Sequence, residues 1–271
     1  MTPAETTHLA FEDVDMAFGD RQVFRGLSFH FPPARISVIL GGSGSGKSTA
    51  LRLVGGLIQP QSGRILIDGD DITRLSERQM YAVRSKLGML FQGGALLDSM
   101  TVFENLVFPL RERAKLHQEE IETRVRETLG AVGLHDAESL LPSQLSGGMI
   151  KRAALARAIV TRPVIVLCDE PFSGLDPISA RRIEALLAEI NRRFQMTVVV
   201  VSHDIPSTMR LATRVLVLLP DHAVEGSPAE LQASTDPRVA SFLNPDLDAA
   251  ALNEVGRVET APGAVHGAPA W

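Results

Sequence analysis

The chain has 271 residues, 45% of them hydrophobic, which allows one large α/β domain, or one domain with a subdomain, around a substantial core. A net charge of −5 argues against a general polyanion binder, because phosphate-backbone affinity needs clustered Lys and Arg. Cys168 is the one cysteine, so no internal disulfide can form, and the chain suits a reducing compartment.

Met1 to Thr7 is polar and lacks the apolar core of a signal peptide. Leu9–Val14 and Val23–Phe31 read as early β-strands, with Gly19-Asp20 as a turn. Ile36–Leu40 is a short apolar strand that runs into a glycine-rich segment. A helix follows from Lys47 to about Val54, its apolar residues Ala50, Leu53, Val54 and Leu57 spaced for one face. Arg64–Ile67 and Gly88–Phe91 are further strands. Helical patterning dominates from about Gly93 to Val160 and predicts a helical subdomain over 93–160.

Val164–Cys168 is continuously apolar, as a parallel strand covered on both faces should be. The next helix carries Ile183, Leu186, Leu187, Ile190 and Phe194 on one stripe. Thr197–Ser202 is another buried strand, and Arg214–Leu219 with His222–Gly226 closes the fold as a small strand pair. No apolar run approaches the ~18 residues of a membrane span, so work on a membrane needs another chain to cross it. Alternating strands and helices predict a mostly parallel sheet. After Leu243 the composition turns to Ala, Gly and Pro. Residues 244–271 read as a flexible tail, or as an extension that docks on a partner through Trp271.

The segment Gly41-Gly42-Ser43-Gly44-Ser45-Gly46-Lys47-Ser48 matches the phosphate-binding loop Gly-x4-Gly-Lys-Ser in full. Glycines let backbone N–H groups curl around phosphate oxygens, and the helix start adds favourable partial charge. Lys47 is expected to reach the β- and γ-phosphates, Ser48 to ligate Mg2+ and Thr49 to cap the α-phosphate. Asp169 ends an apolar strand, where a carboxylate can hold Mg2+. Adjacent strand-end residues point in different directions, which makes Glu170 the candidate general base. Gln92, after another strand, can touch Mg2+ and sense the γ-phosphate, although a lone surface Gln carries little weight. Ser146-Gly147-Gly148 opens a second helix and forms a second anion site. Ser202-His203-Asp204 is not a hydrolase triad, because triad members converge in space and are not sequence neighbours. A lone His after an apolar strand is more often structural.

A phosphate-binding loop, then Leu145-Ser146-Gly147-Gly148-Met149, then an acidic strand end and His203, together resemble the ATP-binding-cassette (ABC) ATPases across about residues 8–243. The resemblance implies a P-loop NTPase fold: a nucleotide-binding domain over 8–243, a mostly parallel core sheet, an N-terminal antiparallel β subdomain and the helical subdomain. It implies ATP and Mg2+ as ligands, and His203 as a switch that donates a hydrogen bond to the γ-phosphate. It also implies a homodimer that sandwiches two ATP molecules head to tail. Ser146, Gly147 and Gly148 then complete the opposite subunit's site, and Asp176, in Ser173-Gly174-Leu175-Asp176, lies on a loop that crosses the interface. Phe18 stands where the family stacks an aromatic on adenine, or it is a core residue.

Two positions depart from the commonest pattern: Met149 replaces Gln, and Gly42 stands where Pro is frequent. Met149, with Met89-Leu90-Phe91-Gln92-Gly93-Gly94-Ala95-Leu96, is similar to the ATPases of Mla-type phospholipid transporters and their MCE-linked relatives. That resemblance implies integral membrane permease subunits, an MCE-domain protein and a small STAS-type accessory subunit as partners. It implies no nucleic acid, and a peripheral place on the cytoplasmic face of a bacterial inner membrane. Ala95, Leu96, Leu97 and Met100 suit contact with a permease helix, or subdomain core. The competing readings are an importer of amino acids or other small solutes, a soluble ATPase acting on nucleic acid, and a regulatory module without turnover. Glu170 and His203 argue against the last.

Overall fold

The computed structural model describes residues 7–113, 116–220 and 222–244, so the polar N-terminus up to residue 6, nearly all of the 244–271 tail and Trp271 lie outside the described residues. Strands β1 (Leu9–Phe18) and β2 (Arg21–Phe31) form a hairpin around Gly19-Asp20. Both are longer than the sequence pattern suggests, because register shifts between Phe11 and Ala17 break the alternation of β1 without ending its pairing. Strand β3 (Ile36–Gly41) leads into helix α1 (Lys47–Val54). Strands β4 (Ser62–Ile67) and β5 (Asp70–Asp71) then complete an antiparallel sheet in the order β2-β1-β4-β5.

Helix α2 (Glu77–Ser85) leads to strand β6 (Leu87–Leu90). Three helices follow: α3 (Val102–Arg113), α4 (Gln118–Ala131) and α5 (Gly147–Ile159). The chain then alternates through β7 (Ile165–Asp169), α6 (Pro177–Phe194) and β8 (Thr197–Ser202), then α7 (Ile205–Leu211), β9 (Arg214–Leu218) and β10 (Ala223–Gly226). Short helices α8 (Pro228–Gln232) and α9 (Pro237–Leu243) end the described part.

The second sheet runs β10-β9-β3-β8-β7-β6, and every pair except β10–β9 is parallel. The valine run of β8 explains how this sheet is buried. Successive strand side chains point to opposite faces. Val198 and Val200 join a core formed with α3, α4, α5 and α6, while Val199 and Val201 join one formed with α1 and the antiparallel sheet. All four are fully buried. Each contributes about 1.5–3 kcal/mol by leaving water.

Val164 corrects the predicted strand boundary. It is 41% exposed and precedes β7, which begins at Ile165 and ends on Asp169. Its N–H still bonds the Lys86 carbonyl and its carbonyl accepts from Thr197 N–H, so the backbone joins the sheet between its two neighbouring strands while the side chain faces water. Phe91, expected as the last residue of its strand, falls beyond β6 and is 39% exposed.

Gly88 in β6 lies under α5, and a Cβ added there would sit 2.1 Å from the Ala158 carbonyl oxygen. Gly88→Ala should therefore destabilise the fold by about 1–3 kcal/mol. Gly93→Ala, with nothing within 4 Å of the added atom, should stay within about 0.5 kcal/mol of the parent. Urea unfolding of the two variants checks this, and equal midpoints would refute the packing account.

Candidate active site

Parallel register brings the candidate residues together. Leu90 pairs with Cys168, Asp169 with Val201, and Ser202 with Leu40. The carboxyl ends of β6, β7, β8 and β3 thus lie side by side, and Gln92, Glu170, His203 and the glycine-rich loop all follow from that edge. Ligands bind outside the carboxyl ends of strands in open α/β sheets.

The loop after β3 is shaped by glycines in left-handed conformation, Gly44 at φ 78° and Gly46 at φ 100°. Gly46 has a second constraint, since a Cβ there would fall 2.6 Å from the Phe24 ring. No side chain caps the start of α1, so its first amides remain available to an anion. Lys47 is buried, and its ammonium donates to the carbonyls of Gly41 at 2.8 Å and Gly42 at 2.9 Å. Glu170 Oε1 lies 3.9 Å from the same nitrogen.

A cleft of about 620 Å³ opens over this loop. Ser43, Gly44, Gly46, Lys47, Ser48 and Thr49 of the loop and of α1 line it. Phe18, Arg21 and Val23 from the β1–β2 hairpin line it too, as do Gln92, Glu170 and His203 from beyond the strand ends. Phe18 is 48% exposed, which corrects the core alternative for that side chain. His203 Nδ1 lies 2.9 Å from Glu170 Oε2, where an ionised carboxylate accepts from the ring N–H. Gln92 Nε2 donates to Ser173 Oγ across 3.4 Å. Glu170 itself stands at φ 47°, a left-handed conformation that costs a side-chain-bearing residue about 1–2 kcal/mol.

Ser48 Oγ donates to Asp169 Oδ1 at 3.2 Å. Burial raises the Asp169 carboxyl above its ordinary range, with the neighbouring Glu170 charge adding to it and the Ser48 hydrogen bond opposing it. An adjacent cation would remove that penalty. A hydroxyl and a carboxylate at this separation are the hard oxygen donors magnesium takes, so the residues present fit Mg2+. Among the described residues no cluster of three His, Cys, Asp or Glu forms a complete metal cage. A metal here would therefore be completed by phosphate and water oxygens.

The remaining candidates lie elsewhere. Ser45 lines a second cavity with residues of β2 and β9, not the cleft, and its Oγ is buried without a hydrogen-bond partner. Ser146, Gly147, Gly148 and Asp176 do not line the cleft. Ser146 Oγ caps α5 by accepting from Met149 N–H at 3.4 Å. Asp176 caps α6, accepting from the N–H groups of Ile178 and Ser179 and from Ser179 Oγ at 2.6 Å. These two helix starts are neighbours, because an atom added at Gly148 would lie 3.6 Å from Ser179 Oγ.

Sequence reasoning missed two basic residues. Arg21 lines the cleft and donates to the Gly44 carbonyl at 3.2 Å. Its signal was a cation placed directly after the Gly19-Asp20 turn. Lys151 on α5 reaches the backbone of Gln92 and Glu170, and no local pattern marks it.

Fold and cleft together define a P-loop nucleotide-binding ATPase of the ATP-binding-cassette type. Residues 24–173 match the family model described as ABC transporter. The chain is 45% identical over 233 residues to the intermembrane phospholipid transport system ATP-binding protein MlaF of Escherichia coli, covering 86% of this chain and 87% of that protein. It is 42% identical over 229 residues to the probable ribonucleotide transport ATP-binding protein mkl of Mycobacterium leprae, covering 84% and 66%. Among solved structures, a dimeric ATP-binding cassette in a post-hydrolysis state, bound to ADP and Pi, is similar at a TM-score of 0.74 and 30% identity. That likeness covers 81% of this chain and 98% of the other. The chain belongs to the ABC transporter family, as an ATP-binding ATPase.

Proposed function

We propose that this chain is the ATP-hydrolysing motor of a membrane phospholipid transporter, working as a head-to-tail homodimer beneath a separate permease. The observation that carries the reading is the 45% identity to MlaF over 86% of the chain. The cleft supports the chemistry. Backbone amides of the loop and of α1 cradle the phosphates, including those of Gly41, Gly42, Ser43, Ser45 and Gly46. Lys47 exchanges the carbonyls of Gly41 and Gly42 for the β- and γ-phosphates, and Thr49 meets the α-phosphate. Phe18 stacks on adenine from the cleft's edge, and Arg21 adds positive charge beside the phosphates.

Ser48 and Asp169 would hold Mg2+, with Gln92, which lines the same cleft as Ser48, as a further candidate oxygen donor. When bound, that ion neutralises charge on the phosphate oxygens. Glu170 takes the proton of the attacking water, and the 2.9 Å contact with His203 keeps its carboxylate aimed into the cleft. With Nδ1–H held by Glu170, a second ring proton at Nε2 is what lets His203 donate to the γ-phosphate. Positioning and electrostatics carry phosphoryl transfer, so these fixed donors are the protein's main contribution.

Ser146, Gly147 and Gly148 contribute to the second copy's ATP, and Asp176 lies on the loop that crosses between copies. Their separation from this chain's own cleft supports that assignment, as does the dimeric state of the similar cassette bound to ADP and Pi. An apolar groove of about 420 Å³ beside β6, with Phe91, Leu97 and Phe108 on its walls, receives a short permease helix. Among the described residues no helix is long and apolar enough to cross a membrane. In this reading the permease spans a bacterial inner membrane, and this chain lies on its cytoplasmic face with an MCE-domain protein and a STAS-type subunit in the assembly. The likeness to the mycobacterial protein named for ribonucleotide transport supports a second cargo.

Glu170→Gln should lower ATP turnover by roughly 10²-fold or more while ATP-bound dimers accumulate on size-exclusion chromatography. Turnover at the parent rate would refute the base assignment. The cargo is tested by purifying the tagged chain from detergent-solubilised membranes. A permease with an MCE-domain protein and bound phospholipid is the expected result, and a permease with a solute-binding protein would overturn the lipid reading.

A further inference from the structure

The base and the cleft's glutamine come from different strands, yet one buried cation holds both. Lys151 is 7% exposed on α5. Its ammonium donates to the Gln92 carbonyl and, at 3.4 Å, to the Glu170 carbonyl. Nothing in the phosphate chemistry described above uses this lysine.

The backbone it reaches needs holding. Glu170 stands in the left-handed region, where a residue with a Cβ persists only if its surroundings over-determine it. The Glu170 N–H is tied to the Val201 carbonyl at 3.0 Å, and its carbonyl accepts from Ser173 N–H at 3.2 Å as well as from Lys151. The loop after Gln92 takes φ 79° at Gly94 without strain but is under the same constraint at Ala95, which stands at φ 51°. Arg157, also on α5, donates to the carbonyls of both, at 3.0 and 2.6 Å. One helix, the one that begins at Ser146, thus straps down the loop behind Gln92 and the backbone of the base.

We infer that Lys151 is a positioning residue for hydrolysis: by bridging the carbonyls of Gln92 and Glu170, it fixes the direction in which the Glu170 carboxylate enters the cleft. The inference rests on Glu170 as general base. Burial lowers the lysine's pKa, while the nearby Asp169 and Glu170 charges oppose that shift and favour the ammonium. A neutral apolar side chain of the same length fills the slot but cannot bridge two acceptors. A lysine that merely packs the helix would affect stability, whereas one that aims the base affects the chemical step with nucleotide already bound.

The test is steady-state ATPase kinetics on the full-length protein. Lys151→Met should lower kcat at least roughly tenfold, equivalent to about 1.4 kcal/mol of transition-state stabilisation, with the KM for ATP within about twofold of the parent. Lys151→Arg, which keeps a buried donor, should recover most of that loss. Where Lys151→Met does not fold, Lys151→Ala, which admits water to both carbonyls, is read in its place with the same expectation. In a Glu170→Gln background the Lys151 substitution should cost no further turnover, because the group it aims is gone. A kcat equal to the parent's in the folded variant overturns the proposal, as does an equal loss in both backgrounds. Normal turnover in Glu170→Gln alone would instead sink the base assignment, so the two failures are distinguishable.

Discussion

Strands β3, β8, β7 and β6 lie parallel and in register, and the site depends on that alignment. Antiparallel neighbours would send alternate strand ends to opposite edges. Here Gly41, Asp169 and Ser202 all finish on one edge, carrying the glycine-rich loop, Glu170 and His203 with them. The alignment is enforced by burial on both faces, since a one-residue slip of β8 would exchange Val198 and Val200 with Val199 and Val201 between two differently shaped cores. Packing energy spent far from the nucleotide thereby sets distances of a few ångströms at the cleft.

At that edge the protein holds its polar groups in costly states. Glu170 is backbone-strained, Lys47 is buried against loop carbonyls, and Asp169 carries a carboxyl whose ionisation burial opposes. Two of these states would be relieved by what the proposed chemistry brings, since phosphate oxygens would take the Lys47 ammonium and a cation would meet Asp169, whereas the Glu170 backbone keeps its strain. Local strain and unfavourable burial at functional sites are maintained by the structure around them. Here that support is the sheet on one side and the cations of α5 on the other.

Much of this was legible in the sequence because the relevant signals are local. The glycine-rich loop needs fixed spacing between adjacent residues, and Asp169 is visible as the polar end of an apolar run. The doubly buried strands announce themselves by unbroken Val and Leu. What stayed hidden has physical reasons. Helix α2 has Met80 as its one buried residue, so it shows no apolar stripe, and only its Ser76–Gln79 capping box marks it. Helices α7, α8 and α9 are too short for periodicity, although an Asp or Ser cap followed by proline precedes each. Ser45 shares its cavity with Leu218 of β9, and Lys151 reaches the carbonyls of Gln92 and Glu170 from α5; both are long-range contacts with no local signature. The start of β7 was misplaced at Val164 because an apolar side chain does not reveal that it faces water.

In the proposed motor one chain carries halves of two different ATP sites: the cleft over Lys47, and the helix start at Ser146 that lies outside it. The most direct measurement mixes two differently tagged chains, Lys47→Ala and Ser146→Arg, each in the Glu170→Gln background, isolates the mixed dimers and counts retained ATP. Both lesions then fall in one composite site and leave the other intact. The account predicts about one ATP retained per mixed dimer and none in either homodimer. Mixed dimers that retain no ATP, or Ser146→Arg homodimers that retain it fully, would contradict it.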